Sequence, residues 1–321
     1  MPNLDRREFV LSASAVAAAT GLSGPMLWVE PASARTLPEK GKGFSSAKIG
    51  DAELVTLFDG IWQKKHDENF IRNAGVDETK AALKKGGLST EFVPITFTIP
   101  AVKMGGKTIM FDAGTGAQLA PTAGLLDENM KGAGIEKGKV DTIIVTHFHP
   151  DHIFGLMQKG STEQVYPDAE IIVPAAELKF WTDDATIAKL PKRRQGLAQR
   201  IKGSLGTWKN VRPIEPGAEV APGITAVAAH GHTPGHTVFR IASGSDQAMV
   251  LADTSNVPAL FVQNPEWQAV FDMAPDEAIA TRKKLYDMAI ADGITVTGYH
   301  FGFPGHGKIE KDGSGYAFVA G

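Results

Sequence analysis

Residues 140–157 read VDTIIVTHFHPDHIFGLM, and this stretch decides the fold prediction. Its apolar start, 140–145, is typical of a buried strand. The strand leads directly into a group of metal-ligand residue types: His147, His149, Asp151 and His152. Alternate residues of an extended backbone point the same way, so His147 and His149 can hold one ion. Pro150 turns the chain away from the strand line, which lets Asp151 and His152 face a second ion.

Three further windows place histidine or aspartate directly after a strand-like run. Residues 228–237 read AAHGHTPGHT, residues 249–254 read MVLADT, and residues 299–306 read YHFGFPGH. A single residue of this kind, met alone, is more often a turn or packing residue than a ligand. Eight of the nine histidines, however, fall in the first stretch and in two of these windows. This clustering favours a shared metal site.

The composition narrows the chemistry. With no cysteine, the chain has no disulfides, thiol catalysis, iron–sulfur cluster or thiolate-bearing zinc site. The 33 basic and 36 acidic residues give a net charge of −3, so no basic field attracts nucleic acid or an anionic membrane. Imidazole and carboxylate ligands suit Zn²⁺ and also tolerate Co²⁺, Mn²⁺ or Fe²⁺. The expected partner is therefore a small-molecule substrate; a homodimer is left open.

The first 34 residues have the features of an export signal. Arg6 and Arg7 precede a small, weakly apolar run at 12–22, and Ala32-Ser33-Ala34 supplies a cleavage-type site. This order is typical of a twin-arginine signal peptide. We expect residues 1–34 to be the signal, the protein to be periplasmic, and no stable membrane anchor to remain after processing. The remaining residues, 35–321, are expected to form one domain.

The mature chain is dominated by strand-like runs with single helices between them. The runs are at 47–58, 91–100, 107–112, 140–146, 169–173, 223–229, 236–242 and 247–252, and helical patterns begin at Asp77, Leu125 and Pro275. Because no regular alternation of strand and helix is present, these elements predict a two-layer sheet core with helices outside.

The motifs resemble those of a known family. HxHxDH at 147–152, GHTPGH at 231–236, a strand-ending Asp253 and a late His300 are similar, in that order, to the metallo-β-lactamase superfamily of binuclear hydrolases. The longer segments around the last three motifs resemble the methyl parathion hydrolase group, which is related to lactone and aryl-ester hydrolases. The resemblance implies an α/β fold, a four-layer αββα metallo-β-lactamase sandwich, over residues 35–321.

The resemblance also implies the ligands of two divalent metal ions, with Zn²⁺ first. His147, His149 and His232 would bind one ion, Asp151, His152 and His300 the other, and Asp253 would bridge both. Asp151 and Asp253 are accordingly the candidate catalytic residues. Asp112, in the segment FDAG, would orient a ligand histidine. Three histidines are expected near the ligands or left undecided, namely His230, His236 and His306, and His66 is given no role.

The expected reaction is attack by a metal-bridging hydroxide on a neutral, hydrophobic lactone or aryl ester. Core packing is an equal alternative for the aromatic residues that suggest such a substrate, which are Phe148, Trp181, Phe261, Phe271 and Phe301. Leu119 and Asn256 depart from the parathion-hydrolase pattern, which has an aromatic and an apolar residue there. Organophosphate triester hydrolysis is therefore the second candidate. A β-lactamase or a catalytically degenerate metal-binding protein is a lesser alternative, because all-histidine β-lactamases usually lack the aspartate that Asp253 supplies.

Overall fold

The structure is a computed structural model that describes residues 37–38 and 42–321. The expected signal segment 1–34 lies outside the described residues. Of the helices in the described part of the chain, none combines the length and the apolar character needed to cross a membrane.

Fourteen strands of the described chain form two sheets of seven. The first sheet runs in chain order: β1 (Phe44–Ile49), β2 (Ala52–Lys64), β3 (Val93–Met104), β4 (Lys107–Phe111), β5 (Thr142–Ile144), β6 (Glu170–Pro174) and β7 (Val211–Ile214). The second sheet contains β8 (Glu219–Ala221), β9 (Ile224–Ala228), β10 (Thr237–Ser243), β11 (Asp246–Ala252), β12 (Thr295–Gly298), β13 (His306–Asp312) and β14 (Gly315–Ala320). Strands β4 to β7 pair in parallel, and so do β11 and β12.

Eight α-helices connect these strands within the described residues. They are α1 (Val76–Lys85), α2 (Leu126–Gly132), α3 (Pro150–Ile153), α4 (Ala175–Thr182), α5 (Asp184–Lys189), α6 (Lys192–Leu205), α7 (Pro258–Phe261) and α8 (Pro275–Ala291). Helix α8 begins with Pro275 in its first turn and with acidic residues that favour the positive end of the helix dipole.

Alternation along each strand produces the layers. In β5, Ile143 belongs to the core that the first sheet shares with its helices, while Ile144 belongs to the core between the two sheets. In β10, Phe239 faces that central core and Val238 packs on the other side with residues of α8. Successive strand side chains point to opposite faces, so each sheet is covered on both sides. The four-layer αββα sandwich is confirmed.

The strand expected at 140–146 is shorter than its apolar pattern. Only residues 142–144 form β5, and the chain then leaves the sheet line toward the histidines. The run at 47–58 is divided by a turn at Gly50, whose φ is +56°, so it forms a hairpin of two strands rather than one. The sequence patterns missed β7, β8, β13 and β14, which are short or partly polar. Strands β7, β8 and β14 lie at sheet edges, and β13 lies beside the edge strand β14.

The central core should carry much of the stability. Phe239 is fully buried, and its ring lies 5.7 Å from that of Phe111 in the opposite sheet. Replacing Phe239 by Ala leaves a cavity that the neighbouring side chains cannot fill. We therefore expect the free energy of unfolding to fall by about 3–5 kcal/mol. Urea unfolding followed by circular dichroism measures this. The matched substitution Phe44→Ala, at a residue that is 38% exposed, should lower the free energy of unfolding by less than about 1 kcal/mol. Equal losses of stability at both positions would contradict the packing described.

Candidate metal centre

All seven predicted ligand residues lie in segments that follow strand ends. After β5, the loop carries His147 and His149 and the short helix α3 carries Asp151 and His152. The loops after β9, β11 and β12 carry His232, Asp253 and His300. The structure brings them together in two groups: His147, His149, His232 and Asp253, and Asp151, His152 and His300. Within each group the candidate ligand atoms all lie within 4.8 Å of one another. These clusters are able to hold metal ions.

The carboxylate of Asp253 contacts histidines of both groups. Its Oδ1 lies 3.1 Å from Nε2 of His152. Its Oδ2 lies 3.1 Å from Nε2 of His300 and 3.3 Å from Nε2 of His232. The preceding residue, Ala252, has a φ of +45°, a strained conformation for a residue with a side chain. The backbone thus turns sharply at the end of β11 and places Asp253 between the two groups.

Oxygen acceptors orient three of the histidines. Nδ1 of His152 lies 2.8 Å from Asp112, Nδ1 of His232 lies 2.9 Å from Asp272, and Nδ1 of His300 lies 2.7 Å from the Thr96 carbonyl. Because an Nδ1–H bonded to oxygen leaves the lone pair on Nε2, each of these rings presents a ligand nitrogen to its group. Asp112 thus lies beside His152, one of the predicted ligand histidines, as its match to the FDAG segment predicted. Sequence reasoning missed Asp272 and Thr96, which lie far along the chain from the motifs.

The first group has the nitrogen arrangement expected around a cation. Nδ1 of His149 lies 3.0 Å from Nε2 of His147 and 2.8 Å from Nε2 of His232. Nε2 of His232 carries a lone pair because its Nδ1 bonds to Asp272. Nε2 of His147 carries one as well, because its Nδ1 donates to the Thr146 hydroxyl, which itself donates to Asp112. In the described chain, Nε2 of His152 and Oδ1 of Asp253 are buried and have no hydrogen-bond partner. Converging lone pairs and unpartnered buried acceptors fit a divalent metal ion bound by nitrogen and oxygen.

Burial and charge set the protonation of these groups. Burial, aided by the charges of neighbouring histidines, holds the pKa of His147 and His149 well below the usual value, so both imidazoles are neutral and able to ligate. Burial opposes ionisation of Asp253, but His300 and His152 outweigh it through their charge and hydrogen bonds and keep the pKa of that carboxyl well below its usual range. Asp253 is therefore anionic at neutral pH, as a metal-bridging carboxylate must be. Against the effect of burial, the neighbouring carboxylates in turn raise the pKa of His152 and His300, so a metal ion on Nε2 of these two rings would take the place of a proton.

His236 supports Asp253 instead of joining either group. Its Nδ1 donates to the Ala229 carbonyl over 2.8 Å, and its Nε2 accepts the backbone N–H of Asp253 over 3.2 Å. Burial lowers the pKa of His236 to about 3, so the ring is the neutral tautomer that these two bonds require. His306 is buried at the start of β13 and lies outside both groups. Of the two late histidines, the structure therefore places His300 in the centre.

A buried carboxylate, Glu177 of α4, ties two of the ligand loops together. Its Oε1 accepts the backbone N–H of Phe148 at 3.0 Å and the indole N–H of Trp181 at 2.7 Å. Its Oε2 accepts the Thr233 hydroxyl at 2.8 Å and the backbone N–H of Gly235 at 2.9 Å. A Cβ at Gly235 would lie 2.2 Å from the backbone nitrogen of Glu177, so only glycine allows this approach. Sequence reasoning missed this carboxylate.

A cleft of about 340 Å³ opens onto the centre. Its lining is mostly apolar: Trp62, Ile95, Phe97, Leu119, Ala120, Pro150 and Phe271, together with Asn256 and the centre's His149, Asp151, Asp253 and His300. Among the aromatic residues that the sequence suggested, Phe271 lines the cleft. The other four, Phe148, Trp181, Phe261 and Phe301, pack in the cores and are not among the residues that line the cleft, which agrees with the core-packing alternative. The walls contributed by β2 and β3 have no motif that could have revealed them.

The Glu177 clamp gives a direct prediction. In Glu177→Gln, one acceptor oxygen becomes an amide NH₂. On the Oε2 side the Thr233 hydroxyl can rotate to accept from it, but the Gly235 N–H can only donate, so at least one of the four bonds becomes a contact between two donors and the negative charge that strengthens the others is lost. We expect the free energy of unfolding to fall by about 2–4 kcal/mol, with weaker metal retention on dialysis. Urea unfolding and elemental analysis measure these. Glu170→Gln is the control, because Glu170 is a half-exposed partner of Arg212 and should cost less than about 1 kcal/mol. Equal effects of the two substitutions would refute the clamp.

Comparison with known proteins agrees with this geometry. The family model described as the Metallo-beta-lactamase superfamily matches residues 101–293, more than half of the chain. A 95-residue segment is 36% identical to ribonuclease Z of Agathobacter rectalis; the match spans 28% of this chain and 28% of that relative's length.

Two solved structures share most of the fold. One is AidC, a dizinc quorum-quenching lactonase in complex with the product N-hexanoyl-L-homoserine; identity is 26% and the TM-score 0.80, over 88% of this chain and 99% of that one. The other is the hydrolase AbOPH of the β-lactamase superfamily, with 25% identity and a TM-score of 0.80, over 87% of this chain and 97% of that one. The matched domain, the sandwich fold and the two ligand groups agree with one another. The chain belongs to the metallo-β-lactamase superfamily and has the fold and the His/Asp cluster of its metal-dependent hydrolases.

Proposed function

We propose that this protein is a binuclear metal-dependent hydrolase that opens neutral, hydrophobic lactones or cleaves aryl esters. One observation carries the proposal: the Asp253 carboxylate touches histidines of both ligand groups and lines an apolar cleft. Two bound divalent ions, Zn²⁺ first, would supply an activated water and a Lewis acid that polarises the ester carbonyl.

The ligands divide between the two ions as the groups do. His147, His149 and His232 would hold the first ion and Asp151, His152 and His300 the second, with Asp253 shared. The anionic Asp253 offsets part of the positive charge that two cations bring into a buried site. Asp112 and Asp272 hold the imidazoles of His152 and His232 in the required tautomer, which raises their basicity as ligands.

Asp151 is the candidate proton carrier. It lies in the cleft lining, and its side chain is 20% exposed, whereas that of Asp253 is 6% exposed. Its Oδ2 lies 3.5 Å from Nε2 of both His152 and His300. A carboxylate with this access can move a proton from the attacking water toward the departing alkoxide or phenolate oxygen.

The walls of the cleft favour a neutral, apolar substrate. Trp62, Phe97 and Phe271 present aromatic surface, and no lysine or arginine lines the cleft among the described residues. Burying apolar substrate surface against such walls favours binding, while an anionic substrate would meet no pairing cation other than the metal ions. The likeness to AidC, which holds N-hexanoyl-L-homoserine, supports a lactone as the first candidate.

Metal content tests the binuclear arrangement. Protein purified after growth with added zinc should hold about two ions per chain, measured by elemental analysis. Asp253→Ala should hold about one ion or fewer and lose at least about a hundredfold in activity, because both ions share the carboxylate. His306→Ala is the control and should keep both ions. Wild-type protein with less than one ion per chain, or full loading of Asp253→Ala, would sink the binuclear proposal.

A substrate panel ranks the reaction classes. We expect dihydrocoumarin and N-acyl-homoserine lactones to be hydrolysed with kcat/KM at least about tenfold above a paraoxon-type triester or nitrocefin, because the cleft is apolar and Leu119 supplies no aromatic contact for a triester's aryl group. Initial rates from colorimetric or pH-indicator assays measure this. Turnover of the triester alone would favour the phosphotriesterase alternative, and turnover of nitrocefin alone would favour a β-lactamase.

A further inference from the structure

Asn256 is the exception in the lining of the cleft. Every other residue there is either apolar or one of the metal-ligand candidates. Asn256 follows Asp253 by three residues, in the turn that leads into α7, and is only 7% exposed. A neutral amide therefore lies in the cleft wall beside the ligand candidates, among residues that are otherwise mainly apolar.

A backbone hydrogen bond fixes how the amide is turned. Oδ1 of Asn256 accepts the backbone N–H of Val257 over 3.0 Å. The reverse orientation would set the NH₂ group against that N–H, two donors facing each other, so the assignment of oxygen and nitrogen is determined. The group left for other partners is the Nδ2 amide, which can only donate.

The donor has no protein partner. In the part of the chain that the structure describes, no hydrogen-bond acceptor is found for Nδ2 of Asn256, and this atom is not among the fully enclosed polar atoms without partners. It is thus accessible in a shielded, mostly apolar cleft, where a ligand acceptor would replace ordered water. Because a donor in such surroundings loses more by staying unpaired than it would in bulk water, it discriminates between ligands that do and do not offer an acceptor.

The apolar surroundings select the kind of acceptor. The cleft wall around Asn256 is mostly apolar, and no lysine or arginine lines it among the described residues. Moving a carboxylate or other anion from water onto such a wall costs more free energy than moving a neutral carbonyl oxygen, which needs only the one hydrogen bond that Nδ2 offers. We propose that Asn256 is a specificity-determining residue whose Nδ2 donates to a neutral carbonyl of the substrate, such as a side-chain amide, separate from the ester that is cleaved. This inference rests on the proposed hydrolase function and refines its substrate class to acyl-substituted lactones.

Matched substrates test the proposal. Two γ-butyrolactones with α-substituents of equal length are compared, one with an acylamino group and one with a plain alkyl group. In Asn256→Leu, kcat/KM for the acylamino lactone should fall about tenfold, while kcat/KM for the alkyl lactone stays the same or rises. Asn256→Asp keeps the acceptor for the Val257 N–H but removes the donor, so it should lose the same preference.

Binding provides a readout independent of turnover. Calorimetry with the matching 2-acylamino- and 2-alkyl-cyclopentanones, which have no ester to cleave, should show the same selective loss in Asn256→Leu. Leu119→Ala is the control at the cleft wall: it removes apolar contact only and should weaken both members of each pair in parallel.

The outcomes separate the two claims. If wild-type protein hydrolyses both lactones but Asn256→Leu changes them by equal factors, the role of Asn256 is wrong and the hydrolase proposal stands. If wild-type, metal-loaded protein hydrolyses neither, the hydrolase proposal fails and this inference fails with it. A loss confined to the acylamino compounds supports both.

Discussion

The site depends on the contacts of the Asp253 carboxylate. This carboxylate lies against His152 and His300 of one ligand group and against His232 of the other. Five imidazoles and two carboxylates are brought within a few ångströms of one another, mostly out of contact with water. Such crowding is costly unless the charges are paired and the lone pairs have a common partner. A shared anion between two ligand groups meets the first condition, and divalent cations meet the second.

The sandwich provides the rigidity that this arrangement needs. Each ligand loop starts where a strand ends, so the ends of β5, β11 and β12 set where the side chains begin. Positive φ angles at Asp112 (+65°) and Ala252 (+45°) bend the chain sharply out of β4 and β11. Buried polar groups then fix the loops: Glu177 joins two of them, and Arg282 donates to the Thr254 carbonyl behind Asp253 over 2.9 Å. The ligand loops are thus held by hydrogen bonds to residues that lie outside the motifs.

The sequence predicted those parts of the site whose residues stand close together in the chain. The HxHxDH stretch and the strand-ending Asp253 could be recognised because strand periodicity and ligand residue types stand side by side in the chain. Asp272, Thr96 and Glu177 could not, because a lone aspartate, threonine or glutamate has no local signature and reaches the site only through tertiary structure. The aromatic residues show the same limit: Phe148 lies between His147 and His149 in sequence, yet its side chain packs in the core.

The cleft provides the surface that a substrate would contact beside the centre. Aromatic surface from β2 and β3, Phe271 and the neutral amide of Asn256 line the cleft beside the Asp253 carboxylate. The central claim, two metal ions that share Asp253, is tested most directly by crystals grown with zinc and anomalous diffraction data collected on both sides of the zinc absorption edge. The account predicts two anomalous peaks, one within each ligand group, with the Asp253 carboxylate between them. A single peak, or peaks away from these residues, would contradict it.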